Sequence, residues 1–124
     1  MENRLSSRPA TKADIMQYYP DVTTSFRAWV CEMDGESIGM IGVAMGRPFA
    51  CMFSSFKEPL RPHLKSMTVM KLIKKAHAVV KQSRVPVRAI AEPSEPTAPH
   101  ILERLGFEHI GEADGDQIYE YWGG

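Results

Sequence analysis

Short stretches of alternating apolar and polar residues dominate the first half of the chain, a pattern typical of half-buried β-strands. The predicted elements are a strand over residues 4–8, a helix from residue 11 to 18 or 19, and strands over residues 25–33, 37–45 and 49–56. Thr11 followed by Asp14 is a capping-box variant that starts the helix. Asp34-Gly35 is the signal of a tight hairpin between the second and third strands. This half therefore predicts one strand and one helix ahead of a three-stranded meander.

The second half changes to helical periodicity. An apolar stripe at helical spacing comprises Val69, Leu72, Ile73, Ala76, Val79 and Val80. Gly106 suits the left-handed position after a helix end. The predicted elements are a loop over residues 57–65, a helix over 66–81, a strand over 86–91, a helix over 98–105, and strands over 107–112 and 117–122. The order β-α-β-β-β-α-β-α-β-β implies a mostly antiparallel sheet with a parallel neighbour or one crossover around the long helix.

Composition narrows the class of protein. The chain has 124 residues, 44% apolar and 24% charged, which predicts one globular domain over residues 1–124. The longest apolar or glycine run, Ile38–Gly46, is far shorter than the roughly 20 residues that a membrane helix needs. The first eight residues contain no apolar signal core, and Cys31 and Cys51 form no metal or disulfide motif. We therefore expect a cytoplasmic protein without a metal site and without a membrane segment.

The net charge of zero conceals a strong polarity along the chain. Residues 57–88 carry nine Lys and Arg against one acidic residue, whereas residues 89–124 carry one Arg against eight acidic residues. A basic stretch inside a neutral protein favours a site for an anionic ligand, and the alternative is a solvated helix face. Nucleic-acid binding is not expected, because the basic helix lacks interleaved aromatic residues and the acidic last third would repel a phosphate backbone.

Three segments in this order resemble the GNAT superfamily, the GCN5-related N-acyltransferases. Arg8–Asp14 is similar to the opening motif R-x-A-T-x-x-D, Ala28–Gly42 to the hairpin V-A-E-x-D-G-x-x-V-G, and Ala98–Glu108 to the last-helix motif A-x-x-L-Y-E-K-L-G-F-E. The resemblance implies an α/β (α+β) fold with a mixed, mostly antiparallel central sheet flanked by helices. It also implies acetyl-CoA as cofactor and the amine of a small molecule or a protein as acceptor. The compact form is similar to proteins of phage and prophage genomes.

The resemblance places the coenzyme A pyrophosphate at the loop before the long helix, where helix N–H groups and the dipole favour an anion. The cofactor-binding residues that it implies are Ser54, Ser55, Arg61, His63, Leu64, Lys65 and Ser66. Arg61 matches the family loop, Q/R-x-x-G-x-G/A, and Ser66 is a small residue at a Gly/Ala position. Leu64 stands where the family has a glycine, which permits close backbone approach to phosphate. The side chains of Arg61, His63 and Lys65 would compensate.

Catalysis requires the acceptor amine in its neutral form, so a base or a water chain must take its proton. The fourth strand contains no carboxylate, and the candidate bases are Glu58 just beyond it and Glu32 on the preceding hairpin. The family's tyrosine acid is replaced by Leu102, and its asparagine near the start of that helix by Glu95. Tyr119 or Tyr121 on the last strand would be a substitute acid, although packing is the commoner role for such residues. A thiolate is a fair leaving group near neutral pH, so turnover does not require an acid.

Two functions of different classes follow from these residues. One is an acetyl-CoA-dependent N-acetyltransferase acting on a primary amine. The other is a catalytically inactive GNAT-fold protein that binds a ligand or belongs to a phage virion, which the mismatches at Leu64, Leu102 and Glu95 favour. Exposed final strands would also allow a homodimer by edge pairing.

Overall fold

The computed structural model describes residues 5–18, 25–63, 65–91 and 98–123, without the side chains of Tyr18, Glu58 and Arg61. The predicted order of helices and strands is confirmed, with boundaries that differ by one or two residues. The elements are β1 (Leu5–Pro9), α1 (Lys12–Tyr18), β2 (Phe26–Met33), β3 (Glu36–Ala44), β4 (Ala50–Phe56), α2 (Met67–Lys81), β5 (Val87–Ala91), α3 (Ala98–Arg104), β6 (Glu108–Ala113) and β7 (Asp116–Tyr121). The segment predicted as a loop after β4 contains a 3₁₀ helix, Glu58–His63.

The seven strands form one sheet in the order β1-β2-β3-β4-β5-β7-β6. Every neighbouring pair is antiparallel except β4 and β5, which are parallel. The chain crosses from β4 to the parallel strand β5 through α2, as the predicted strand-helix-strand unit requires. The mixed, mostly antiparallel α+β architecture is thus confirmed.

The main core lies between one face of the sheet and the helices α2 and α3. The helix stripe of α2 is buried at Val69, Leu72, Ile73, Ala76 and Val80, and it packs against inward residues of β3, β4 and β5. Burying each of the four larger side chains, those of Val69, Leu72, Ile73 and Val80, contributes about 1.5–3 kcal/mol. The lysines of the same helix, Lys71, Lys74, Lys75 and Lys81, are exposed. On the opposite face, a smaller cluster joins Ile15 of α1 to Ala28, Val30 and Met40.

Helix ends are fixed by the signals that the sequence predicted. Asp14 accepts hydrogen bonds from the backbone N–H and the hydroxyl of Thr11, at 2.7 and 2.9 Å, and its own N–H donates to the Thr11 hydroxyl at 3.3 Å. Gly106 has φ +90° and follows α3. The N–H groups of Gly106 and Phe107 donate to the carbonyls of Glu103 and Leu102, the pairing of a Schellman motif.

The 3₁₀ helix after β4 is held on the sheet by one side chain. Leu60 is 1% exposed and packs directly over Gly39 of β3, where a Cβ atom would overlap the leucine. Lys57, which leads into this helix, donates its backbone N–H to the carbonyl of Ile38 at 2.9 Å. The chain therefore leaves β4 in a fixed direction toward the start of α2. Over the ranges given above, no helix has the length and apolar character to cross a bilayer.

Candidate functional site

The parallel strands β4 and β5 separate before they end. They pair only at Ala50 with Val87, Cys51 with Arg88, and Met52 with Ala89. Beyond Met52, β4 runs on to Phe56 and stays paired with β3, whereas β5 ends two residues after Ala89. The two central strands of the sheet therefore enclose a gap that opens toward their carboxyl ends.

A narrow apolar cavity of about 60 Å³ lies in this gap on the side of α2 and α3. Its walls come from both strands and both helices: Ile41, Met52, Phe53, Ser54, Phe56, Ile73, Ala89, Ile90, Ala98, Ile101 and Leu102. These side chains are apolar except for Ser54. The cavity has room for a few water-sized groups, which suits the end of a slender chain such as an acyl thioester and not a complete nucleotide cofactor. We call it the donor cavity.

The backbone of Ser54 directs a hydrogen-bond donor into the gap. Ala50 donates its N–H across to the carbonyl of Pro86 at 2.9 Å, just before β5. Because N–H groups alternate in direction along a strand, those of Met52 and Ser54 also point toward β5. The last pair between the strands is Met52 with Ala89, so the N–H of Ser54 has no partner strand opposite it.

The start of α2 lies after the 3₁₀ helix and carries free backbone donors. Ser66 is the N-cap residue, and its hydroxyl accepts a hydrogen bond from the N–H of Val69 at 3.3 Å. Its carbonyl accepts from Met70 at 3.0 Å. The N–H groups of Met67 and Thr68 belong to the first helical residues, which have no acceptor within the helix. Lys65 is exposed immediately before the cap. This terminus combines amide donors, a positive dipole end and a cation.

A second cavity of about 370 Å³ lies across the gap, with Phe49, Cys51, Arg88, Asp116 and Ile118 among its lining residues. Met52, Phe53, Ser54 and Ile90 line both this cavity and the donor cavity. Cys51, Arg88 and Ile118 point to the sheet face opposite α2, by alternation from the buried Met52, Ala89 and Tyr119. We call it the opposite-face cavity.

Two charged side chains that line the opposite-face cavity differ in whether they have a partner. The Arg88 guanidinium lies 4.2 Å from the centre of the Phe49 ring, and its Nε donates to Glu120 at 2.9 Å. Asp116 has no ion-pair or hydrogen-bond partner among the residues that the structure describes. Cys51 is exposed at the cavity, and partial desolvation by its surroundings raises the pKa of its thiol despite the nearby Arg88, so this thiol stays protonated and is a poor nucleophile at neutral pH.

The structure separates the two predicted bases. Glu32 lies on β2, two strands from β4, and its carboxylate is 3.3 Å from the Arg8 guanidinium. It lines neither cavity. The backbone of Glu58 begins the 3₁₀ helix directly after β4, close to the open end of the gap, and its side chain lies outside the described atoms.

The predicted cofactor-binding residues lie between Ser54 at the gap and Ser66 at the start of α2. Ser54 lines both cavities, and Ser55 is half-buried beside it and paired with Met40. The path continues through Arg61 and His63 of the 3₁₀ helix to Lys65 and Ser66, while Leu64 and the Arg61 side chain lie outside the described part.

The predicted acids are placed away from the gap. Tyr119 is buried against His109, and Tyr121 lies among His77 and Phe107. Neither tyrosine lines the donor cavity, whereas Leu102, which the resemblance aligns with the family's acid, does. Glu95 falls outside the described residues.

Sequence reasoning missed the backbone donor at Ser54 and the side chains of Cys51, Arg88 and Asp116. The N–H of Ser54 has no signature in the residue type, since its function comes from the point where two strands separate. Asp116 belongs to a turn-like stretch by composition, and only the pairing of β7 with β5 brings it near the gap. In the described part of the chain, no group of three or more metal-ligating side chains occurs.

Comparison with known proteins shows which solved structures share this fold. No protein-family model matches the sequence, and no curated protein matches it either. Solved structures match over nearly the whole chain. They include an N-acetyltransferase from Staphylococcus aureus Mu50, with a TM-score of 0.64, 13% identity and coverage of 95% of this chain and 98% of that one. A GNAT-family acetyltransferase of the same organism has a TM-score of 0.63, 10% identity and coverage of 94% and 98%.

A plant protein gives the same result. NAA60 of Arabidopsis thaliana, solved in complex with a bisubstrate analogue, matches with a TM-score of 0.62, 13% identity and coverage of 95% and 97%. The chain is an α+β protein whose central parallel strands separate around a cavity. Its fold is that of the GNAT superfamily, as the sequence predicted. The predicted phage origin is not supported by these matches.

Proposed function

We propose that this protein is an acetyl-CoA-dependent N-acetyltransferase that acts on a primary amine. The observation that carries the proposal is the gap between β4 and β5, which holds an apolar cavity and faces an unpaired backbone N–H at Ser54. The structures with the same fold include acetyltransferases and a complex with a bisubstrate analogue, which supports a CoA-linked acyl donor.

The donor would lie across two parts of the site. The pyrophosphate would bind at the start of α2, on backbone N–H groups and the side chains of Arg61, His63 and Lys65, with Ser66 closing the turn. Phosphate at a helix N-terminus is favoured by free donors and by the dipole. The acyl-pantetheine end would enter the donor cavity past Ser54, because its slender apolar chain matches the narrow apolar walls. Ser55, the next residue of β4, would hold this part of the strand in place through its pairing with Met40 of β3.

The acceptor would approach from the opposite-face cavity. Asp116 would attract the ammonium form of the amine, and Phe49 and Ile118 would contact an apolar body behind it. The amine loses a proton through water to a base, for which Glu58 is the nearest carboxylate along the chain beyond β4. Glu32 is the weaker candidate because it is held by Arg8.

The transfer step then balances simply. The neutral nitrogen attacks the thioester carbonyl carbon, the carbon–nitrogen bond forms, and the carbonyl oxygen takes up negative charge. The N–H of Ser54 would stabilise that charge. As the carbonyl re-forms, the carbon–sulfur bond would break, coenzyme A would leave as a thiolate, and the nitrogen would give up its second proton to water. The thiolate would then take a proton from that water, so the proton count closes. No tyrosine is required, since a thiolate leaves readily near neutral pH.

A second function is favoured by one feature of the donor cavity. Among the described residues, its lining contains no titratable side chain, and the sequence resemblance aligns Leu102, which lines it, with the family's acid. A protein that binds acyl-CoA without transferring the acyl group fits this lining. The two functions share the donor site and differ only in turnover.

Calorimetric titration with acetyl-CoA tests the shared part. We expect saturable binding in the wild-type protein and at least tenfold weaker binding in Arg61→Ala/Lys65→Ala. The matched control Lys71→Ala/Lys75→Ala removes two cations from the exposed face of α2 and should bind as the wild type does. Absence of saturable binding at millimolar acetyl-CoA would exclude both functions.

Release of the coenzyme A thiol in the presence of a panel of primary amines separates them. Amine-dependent thiol release supports the transferase. Tight binding without amine-dependent release supports the binding protein.

A further inference from the structure

A third cavity lies at the opposite end of the same strands and helix, away from the gap. It holds about 740 Å³ and lies between the ends of β2 and β3, the turn before β4, and the segment that joins α2 to β5. Small-molecule sites in proteins commonly have volumes of about 300–1,000 Å³. The donor cavity is bordered by the later part of β4, whereas this cavity touches its first residue, Ala50.

Three arginines from three different elements line this cavity. Arg27 comes from β2, Arg47 from the turn between β3 and β4, and Arg84 from the segment after α2. All three are exposed. No acidic residue is among the described residues that line the cavity. We call it the arginine cavity.

The three cavity arginines lack counter-charges among the described residues, as the exposed Arg104 of α3 also does. Arg8 is paired with Asp14 and Glu32, and Arg88 is paired with Glu120. In the described part of the molecule, Arg27, Arg47 and Arg84 have no ion-pair or hydrogen-bond partner. Three like charges around one cavity repel one another, and an anion within the cavity would remove that repulsion.

Apart from the polar Ser25, Gln82 and Ser83, the rest of the described lining is apolar, and it is well fixed. Val43 and Ala50 are buried, and Met45, Val79 and Val85 are packed against the core beside them. Backbone hydrogen bonds from Met45 to Ser25 at 2.8 Å and from Ala50 to Pro86 at 2.9 Å join the surrounding segments. The Ser83 hydroxyl donates to the carbonyl of Val85 at 2.6 Å. The backbones that carry the arginines are therefore held before any ligand arrives.

We propose that the arginine cavity binds a small polyanion that carries two or more phosphate groups on a partly apolar body. Guanidinium groups bind phosphate oxygens through paired hydrogen bonds, and three of them from three directions match several anionic groups. The valines and Met45 match the uncharged part of the ligand. The proposal does not depend on acyl transfer.

Amide chemical shifts of ¹⁵N-labelled protein test this site directly, with inorganic tripolyphosphate and a nucleoside triphosphate as probes. We expect saturable shifts at the amides of Arg27, Gly46, Arg47, Ser83 and Arg84 with both probes, and tighter binding of the nucleoside triphosphate. Shifts confined to residues 54–70 would show that the probes bind only at the start of α2, and would overturn the proposal. The lack of any saturable shift at 10 mM probe, on the order of the weakest binding of interest, would also overturn it.

Charge-removing variants supply the matched comparison. Arg27→Gln/Arg47→Gln/Arg84→Gln should bind the nucleoside triphosphate at least tenfold more weakly, whereas Lys71→Gln/Lys74→Gln/Lys75→Gln should change the Kd less than twofold. Equal weakening in both variants would mean a general effect of net charge and would overturn the proposal. If the triple arginine variant does not fold, each single variant should weaken binding about threefold, and unchanged Kd values in all three would overturn it.

A larger acidic partner is an alternative occupant of the arginine cavity, and the same two proteins test for it. Over a hundredfold concentration range, the wild-type protein should sediment as the triple arginine variant does. It should therefore show no self-association that depends on these arginines. Association that depends on these arginines would mean that the acidic end of a second copy fills the cavity, and would overturn the small-ligand proposal.

Discussion

Ser54 contributes to the candidate site through its backbone, so its residue type gives little warning of its position. Its N–H points toward β5 at the first place where β5 no longer pairs with β4. The odd-numbered residues of β4 donate toward β3, as the N–H of Lys57 just beyond the strand shows with Ile38. A change at Ser54 can therefore remove the donor in the gap without removing a bond to β3.

Substitution of Ser54 by proline tests this donor. We expect Ser54→Pro to keep acetyl-CoA binding and to lower kcat by about 100- to 1,000-fold, the loss typical of one missing oxyanion donor. Ser54→Ala keeps the N–H and should retain kcat within about threefold, a change that corresponds to less than 1 kcal/mol. Steady-state kinetics of thiol release measures both variants. A folded Ser54→Pro protein with unchanged kcat would contradict the role of this N–H.

Asp14 is the residue with the clearest dependence on pH. Its hydrogen bonds with Arg8, at 2.6 and 2.9 Å, together with those from Thr11, hold the pKa of the Asp14 carboxyl well below its usual range. A carboxyl group whose pKa is lowered by folding stabilises the protein above its unfolded pKa of about 3.9. That stabilisation is lost as the pH falls below about 4 toward the folded value.

We expect Asp14→Asn to lower the free energy of unfolding by about 1 kcal/mol at pH 7, because it removes a helix cap and a partly exposed ion pair. The difference from wild type should shrink below about pH 4 as the wild-type carboxyl becomes protonated. Urea unfolding at a series of pH values measures this convergence. Asp114→Asn, in an exposed turn, is the control and should show no such pH-dependent difference.

At the scale of elements, the direction of the chain after β4 depends on a contact between a glycine and a leucine. Gly39→Ala would place a methyl group against Leu60, and overpacking of this kind costs about 1–3 kcal/mol. The displaced 3₁₀ helix carries Arg61 and His63, so acetyl-CoA binding should weaken as well. Gly111→Ala, where a Cβ would meet nothing within 4 Å, should leave both properties unchanged. Urea unfolding and calorimetric titration measure the two effects, and tight binding by a destabilised Gly39→Ala would contradict the link between this contact and the donor site.

Most elements were predictable because their signals are local. The stripe of α2, the capping pair of Thr11 and Asp14, and the left-handed Gly106 each act within a few residues, and all three are confirmed. The 3₁₀ helix was predicted as a loop because its two prolines suggest irregular chain, whereas burial of Leu60 over a distant strand orders it. The site was less predictable, since the gap and the opposite-face cavity arise from where β5 stops pairing. That end point depends on three strands together and has no residue signature.

At the scale of the whole molecule, the sheet is best protected at its centre and least at its edges. Six consecutive residues of β3 are buried, whereas the residues of β6 are exposed apart from Gly111. The outer strands of the sheet are β1 and β6, and Ile110 on β6 is 47% exposed. The predicted homodimer, formed by edge pairing of the final strands, would use β6 and leave β1 unpaired.

Amide hydrogen exchange at two protein concentrations tests this arrangement. Amides of β3 should exchange most slowly in all conditions, because opening them requires loss of the main core. If the edge strands pair, raising the concentration should slow exchange in β6 and leave β1 unchanged, and Ile110→Lys should abolish the effect by placing a charge on the edge. Sedimentation as a monomer at both concentrations, with fast exchange in β6 throughout, would contradict the homodimer. The exposed edge would then be protected by its own charges, Glu108 and Glu112, which is the other way in which proteins keep edge strands from pairing.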